Sequence, residues 1–297
     1  MMGKEHMLST AIISITIIYI MIFQFFSVTT KPLGIEQILI KVVTLPAIDY
    51  AYILLFFIAM VMASTAPDID VERPTAFVKK KSRISSFWFT LIKYIAYLPM
   101  TLIFNFSKDK EKIVGHRKIF HSIYGAIIFS FSILIIFIIF LLIFFVALSF
   151  YQPQQSSGIS VNAVSGSLSK SIQMIKDYWN FVLFFLIGSF IGFIAHLAED
   201  SLTVSGIVYL PFISDIGLKG SLKTGNKEFY ETNNTGFLKK SKFGMIMIWV
   251  FNIIFILIYS FYSLYLLGFL VIPIYFISIF LFFMVFAGLR PAVINRD

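Results

Sequence analysis

The chain has 297 residues, of which 59% are hydrophobic, 18% aromatic and only 13% charged, with a mean hydropathy of +0.90. Soluble domains carry about 25% charged residues, so this balance excludes a soluble globular protein and implies an integral membrane protein. Cysteine is absent, which removes disulfides, thiolate zinc sites and a cysteine nucleophile, and the net charge of +9 is explained by topology and attraction to anionic lipid, not by nucleic-acid binding.

Residues 1–7 lead into a nearly uncharged run from Leu8 to Val28. That run is longer than a signal-peptide core and ends in Ser27-Val28-Thr29, a poor cleavage site, so an uncleaved first span that retains His6 is expected. Residues 36–46 are short and carry Glu36 and Lys41, which suits a surface or loop-bound helix. A second span is expected over 47–66. Residues 87–106 are apolar, but Lys93 lies in their interior, Pro99 interrupts them, and Phe87, Trp88, Tyr94 and Tyr97 suit a membrane interface. An interfacial hairpin is expected there.

The third and fourth spans are expected at 119–147 and 179–198. Between them, 151–178 is rich in Ser, Gln and Gly over its first part and reads as an external loop. Residues 243–289 would make a helix about 70 Å long at about 1.5 Å per residue, more than twice the bilayer, so they must fold back. A turn at Gly268 divides them into spans 243–266 and 269–289. The expected fold class is therefore an all-α membrane protein, a single domain over 1–297 forming a polytopic bundle of about six transmembrane helices. Apolar segments alternating with polar residues, the mark of a β-barrel, are missing.

On this six-span plan, Lys and Arg divide twenty to four between the two sides. The positive-inside rule then puts both termini and the basic loops 67–118 and 199–242 in the cytoplasm, in the inner or plasma membrane.

All four histidines, His6, His116, His121 and His196, lie near span boundaries on that same side, together with Asp68, Asp70 and Asp200. His196 and Asp200 are four residues apart at the end of an apolar helix, about 40° apart around its axis, and can address one ion; the alternative is a plain polar helix terminus. Pro67 ends the second span before Asp68-Ile69-Asp70, whose two carboxylates suit a hard divalent cation. His116 and His121 are about 140° apart on an ideal helix. From a regular helix they cannot share one ion, so either His116 sits in the loop before the helix begins or each faces a different metal. Arg117 is either a clamp for an anionic group or a topogenic charge beside Lys118.

These residues resemble the membrane-bound metal-dependent hydrolase family, YdjM-like LexA-regulated inner-membrane proteins. The matching positions are His6, Pro67-Asp68-Ile69-Asp70, His116-Arg117 through His121-Ser122, and His196, Asp200, Thr203, Gly206 and Pro211, in order from residue 6 to about 212. Phe120 departs from the Thr common in that family, and the external loop and the insert 72–114 look enlarged. The resemblance implies a divalent metal and a hydrolytic reaction.

The expected activity is accordingly a membrane-embedded metal-dependent hydrolase that activates water at the cytoplasmic face. Its metal, Zn or Mn ahead of Mg, would be held by His6, Asp68, Asp70, His116, His121, His196 and Asp200. Arg117 and Asp70 would take catalytic parts. The expected partners are membrane lipids, with a phospholipid or another amphiphilic ester as substrate. Two rivals stand beside this reading. A structural metal could tie the span ends together, whereas an ion transporter is disfavoured because the ligands sit at span ends and not at the bilayer midplane.

Overall fold

A computed structural model of the chain describes residues 3–28, 40, 43–67, 121–151, 169, 172–173, 176–177, 179–203, 206–211, 213–220, 240–261 and 270–294. Asp68, Asp70, His116, Arg117, the hairpin expected at 87–106 and most of the external loop lie outside these residues. Of the short helix expected at 36–46, one turn is described, in which the Thr44 N–H and hydroxyl both bond the Ile40 carbonyl at 3.0 Å.

The described residues form six long helices, which fall on the six apolar stretches. They are α1 (Gly3–Val28), α2 (Ala47–Ala63), α3 (Ile123–Tyr151), α4 (Trp179–Ser201), α5 (Lys240–Phe261) and α6 (Val271–Phe286). Two of them are long and apolar enough to cross a membrane: α3, over Ile123–Phe144 with mean hydropathy 3.3, and α4, over its whole length with 2.3. The others contain apolar helices of 10–17 residues. On α3 and α6 large apolar side chains such as Ile135, Phe140, Ile143, Ile277 and Val285 point outward, as on a surface that meets lipid.

Local signals explain where the helices stop. Pro67 has no N–H for the Ala63 carbonyl, so the Ala66 N–H takes it at 3.1 Å and α2 closes in a tight turn. Ser122 caps α3: its carbonyl accepts the Ala126 N–H at 3.0 Å and its hydroxyl accepts the Gly125 N–H at 3.4 Å. His121 therefore precedes α3 and is not part of it. Helix α6 ends at Phe286, because Gly288 adopts φ 60° just past the C-cap Ala287 and turns the chain away.

That turn leads into a strand, β2 (Arg290–Val293), antiparallel to β1 (Ile216–Lys219) with Ile216 opposite Val293 and Lys219 opposite Arg290. The described residues are mostly helical, as expected, and this short two-stranded sheet is an addition that was not expected. It forms because Gly217 and Gly220 let the chain lie against the backbone of Ile207 and Leu202, where any Cβ would come within 2.1–2.2 Å of a carbonyl oxygen.

Helix packing rests on small residues and on buried polar bonds. On α4, Gly188 and Gly192 face α2 so closely that a Cβ would fall 2.7 Å from the Phe56 carbonyl oxygen and 2.0 Å from that of Met60, the small-xxx-small mode of membrane helices. Phe129 of α3 packs on Phe193 of α4, with ring centres 5.5 Å apart. Helices α5 and α6 run antiparallel, Phe251 meeting Phe282 and Phe255 meeting Tyr275, each at 4.9 Å. They join α1 through Asn252, whose side-chain oxygen accepts both the Thr16 and Tyr275 hydroxyls at 2.7 Å.

Candidate metal centre

The ends of three helices meet at one place. The Phe56/Gly188 and Met60/Gly192 contacts are each one turn apart, so α2 and α4 run parallel in register. The next step along that ladder joins Ser64 to His196: the Ser64 carbonyl, just past the end of α2, lies 2.6 Å from His196 Nδ1. A carbonyl only accepts, so Nδ1 carries the proton and donates it. That leaves Nε2 directed at Asp200 one turn on, whose Oδ2 lies 3.3 Å away.

His121 enters from just before α3. Its Nε2 lies 3.7 Å from the same Asp200 Oδ2, and its ring centre is 5.7 Å from that of His196. The loop after α4 holds the approach of α3, since the Ile123 N–H donates to the Tyr209 carbonyl at 3.1 Å while the Tyr209 hydroxyl donates back to the Leu197 carbonyl at 3.4 Å. Burial pushes the Tyr209 phenol up to about 12, with the charge of Asp200 adding to the shift and the Ser201 hydroxyl opposing it.

His121, His196 and Asp200 are 0%, 0% and 2% exposed. One ligand atom of each lies within 4.8 Å of the others. Two imidazole nitrogens and a carboxylate suit Zn or Mn. Tetrahedral ligands about 2.0–2.1 Å from a zinc ion stand about 3.4 Å apart, close to the two nitrogen–oxygen separations found. The contact between His196 Nε2 and Asp200 Oδ2 calls for a positive centre between two acceptors, either a proton or a cation. On both counts the three residues fit a divalent metal, and the bond from His196 Nδ1 to a backbone carbonyl is the outer contact that commonly orients a metal-binding histidine.

The other expected site residues stand differently. His6 lies in the first turn of α1, one turn before Ser9, and its side chain is outside the described residues, as are Asp68, Asp70, His116 and Arg117 entirely. Thr203 and Gly206 shape the exit from α4: the Thr203 hydroxyl bonds the Asp200 carbonyl at 2.7 Å, and Gly206, at φ 65°, returns its N–H to the Thr203 carbonyl at 3.1 Å. The same Thr203 carbonyl accepts the Gly220 N–H at 3.0 Å, which pins β1 beneath the site.

Two participants were not anticipated from the sequence. One is the Ser64 carbonyl, signalled only by the small residues Gly188 and Gly192 that bring α2 close. The other is Glu199, which is buried and accepts a hydrogen bond from the Ser9 hydroxyl of α1. Its signal was an acid next to Asp200 at the end of an apolar span.

Fold and site together define a helical membrane protein with a buried His-His-Asp group where helix ends converge. The family model of the YdjM inner membrane protein matches residues 1–267, and the chain belongs to that family. No curated protein and no solved structure matches the chain.

Proposed function

We propose that the protein is a metal-dependent hydrolase embedded in the membrane, acting at the cytoplasmic membrane face on a phospholipid or another amphiphilic ester. One observation carries this reading: His121, His196 and Asp200 converge, buried, at the ends of apolar helices, where they form a donor set for a divalent cation. Six spans with both termini in the cytoplasm complete the proposed arrangement. It is supported by the twenty-to-four division of cations and by the six helices on the six apolar stretches.

A metal bound there would lower the pKa of a coordinated water toward neutrality and polarise the scissile oxygen. His121, His196 and Asp200 would hold it, joined by donors from His6, Asp68, Asp70 and His116. The Ser64 carbonyl fixes the His196 ring so that Nε2 faces the site. Asp200 presents one oxygen to both imidazoles. Arg117, four residues before His121, would stabilise negative charge developing on the substrate, and Asp70 would take a proton from the attacking water.

Burial of all three donors favours a second reading, in which the metal is structural and ties the ends of α2, α3 and α4 together. The two separate in one experiment. Purified protein loaded with Zn or Mn is assayed on phospholipid vesicles and on a soluble ester. Turnover of phospholipid that His196→Ala abolishes supports the hydrolase. Bound metal without turnover of either substrate supports the structural role, and turnover of the soluble ester alone would exclude a lipid substrate.

A further inference from the structure

Ile207 and Leu218 exchange N–H···O bonds at 2.9 Å in both directions, so β1 runs between Ile207 on one side and β2 on the other. Both sides of the His-His-Asp group are tied to this ribbon. On the aspartate side, the Gly220 N–H donates to the Thr203 carbonyl at 3.0 Å, and the Thr203 hydroxyl donates to the Asp200 carbonyl at 2.7 Å. On the histidine side, Ile207 leads to Tyr209, whose carbonyl holds the Ile123 N–H at 3.1 Å, two residues after His121. The 3.7 Å gap between His121 and Asp200 is thus bridged, outside the helices, by a segment that pairs with β1.

Ile294 closes the ribbon. Its N–H donates to the Asp215 carbonyl at 3.2 Å. Its Cδ1 abuts two glycines, 2.6 Å from where a Cβ would stand on Gly217 and 3.0 Å from where one would stand on Gly206. Gly206 turns the chain at φ 65° between Asp200 and Tyr209, so one side chain packs on both β1 and that turn. Ile294 and β2 lie past residue 267, where the match to the family model ends.

We propose that β2 and Ile294 form a C-terminal latch that sets the separation of His121 from Asp200, with Ile294 as its positioning residue. The role in metal binding rests on reading His121, His196 and Asp200 as a metal site. A latch differs from plain stabilisation because its release is felt at His121, while the His196/Asp200 pair within α4 stays in place.

The chain has no cysteine, so a reversible bond can stand in for the latch. Ile216 and Val293 face each other and are 60% and 69% exposed. Because Leu218 turns its N–H and carbonyl to Ile207, this pair exchanges no hydrogen bonds, and such Cα atoms stand about 4.5 Å apart, within disulfide reach. By calorimetric titration with Zn or Mn, Ile294→Ala should bind roughly 10- to 100-fold more weakly than the parent, the range for groups that orient metal ligands. Adding oxidised Ile216→Cys/Val293→Cys to Ile294→Ala should restore the parent's affinity. Hydrogen exchange of the metal-free proteins reads the latch by itself: Ile294→Ala should quicken exchange at Ile123 as well as at Ile207 and Leu218, the disulfide should slow it again, and reduction should undo the rescue. Unchanged affinity in Ile294→Ala would overturn the inference, as would a disulfide that restores the melting temperature but not the affinity, or exchange that quickens in the sheet and not at Ile123. A parent that binds neither metal would overturn the metal-site reading, and exchange at Ile123 would still decide whether the latch acts on the His121 segment.

Discussion

Asp200 Oδ2 serves two imidazoles, one from α4 and one from the residue that precedes α3, so its removal should be felt at both. Asp200→Asn keeps the volume but removes the charge, and Zn or Mn binding should become undetectable in a titration that reads the parent clearly. His121→Ala should have the same effect, because it is the only one of the three donors supplied from outside α4. Metal binding requires bare imidazole nitrogens and an ionised carboxylate, so bound metal should be released with uptake of protons as the pH falls. Tyr209 acts at the opposite end of the scale. Its phenol is raised from 10.0 to about 12 in the folded protein, so the neutral form favours folding; this contribution is complete below about pH 10 and lost as the pH rises through 12. Tyr209→Phe should therefore show a shallower fall in melting temperature between pH 10 and 12 than the parent. At this scale the His196/Asp200 pair was legible because four residues make one helical turn. The contact of His121 was not, since it depends on a loop bond between Ile123 and Tyr209 across 86 positions.

The packing of α2 against α4 sets the site, because Phe56/Gly188, Met60/Gly192 and Ser64/His196 are successive rungs of one ladder. At Gly192 an added methyl would lie 2.0 Å from the Met60 carbonyl oxygen. Gly192→Ala must push α2 away, at an overpacking cost of about 1–3 kcal/mol, and draw the Ser64 carbonyl off His196. Metal affinity should fall with it, by roughly the 10- to 100-fold expected for losing an outer contact. Unchanged stability and affinity would show that the register of this helix pair does not govern the site. The apolar runs announced these helices and Pro67 marked the end of the second, whereas the boundaries at Ser122 and Gly288 emerged only from the structure. The sheet was hidden because β1 and β2 are four residues each, lie 71 positions apart at their nearest ends and follow no alternating pattern. Such strands are recognised only once Gly206 and Gly217 bring the backbones together.

Across the whole molecule the helices carry two kinds of surface. Polar bonds such as Ser9 to Glu199 and Thr16 to Asn252 face inward, while apolar side chains of α3, α5 and α6 face outward. Because the natural chain has no cysteine, the proposed orientation can be tested by single substitutions. Ser214→Cys should react with a membrane-impermeant maleimide only after the cells are opened, and Ser157→Cys should react in intact cells. The reverse pattern would invert the orientation and place the site on the outer face. Six apolar stretches were legible from composition alone, whereas the convergence of helix ends was visible only as a bias of His and Asp toward one side. The most direct test of the account is the metal content of the purified protein, read after saturation with Zn or Mn and removal of excess ion. The parent should retain divalent metal, and His196→Ala and Asp200→Ala should lose it while still folding; a parent without metal, or variants that retain as much as the parent, would contradict the proposed metal site.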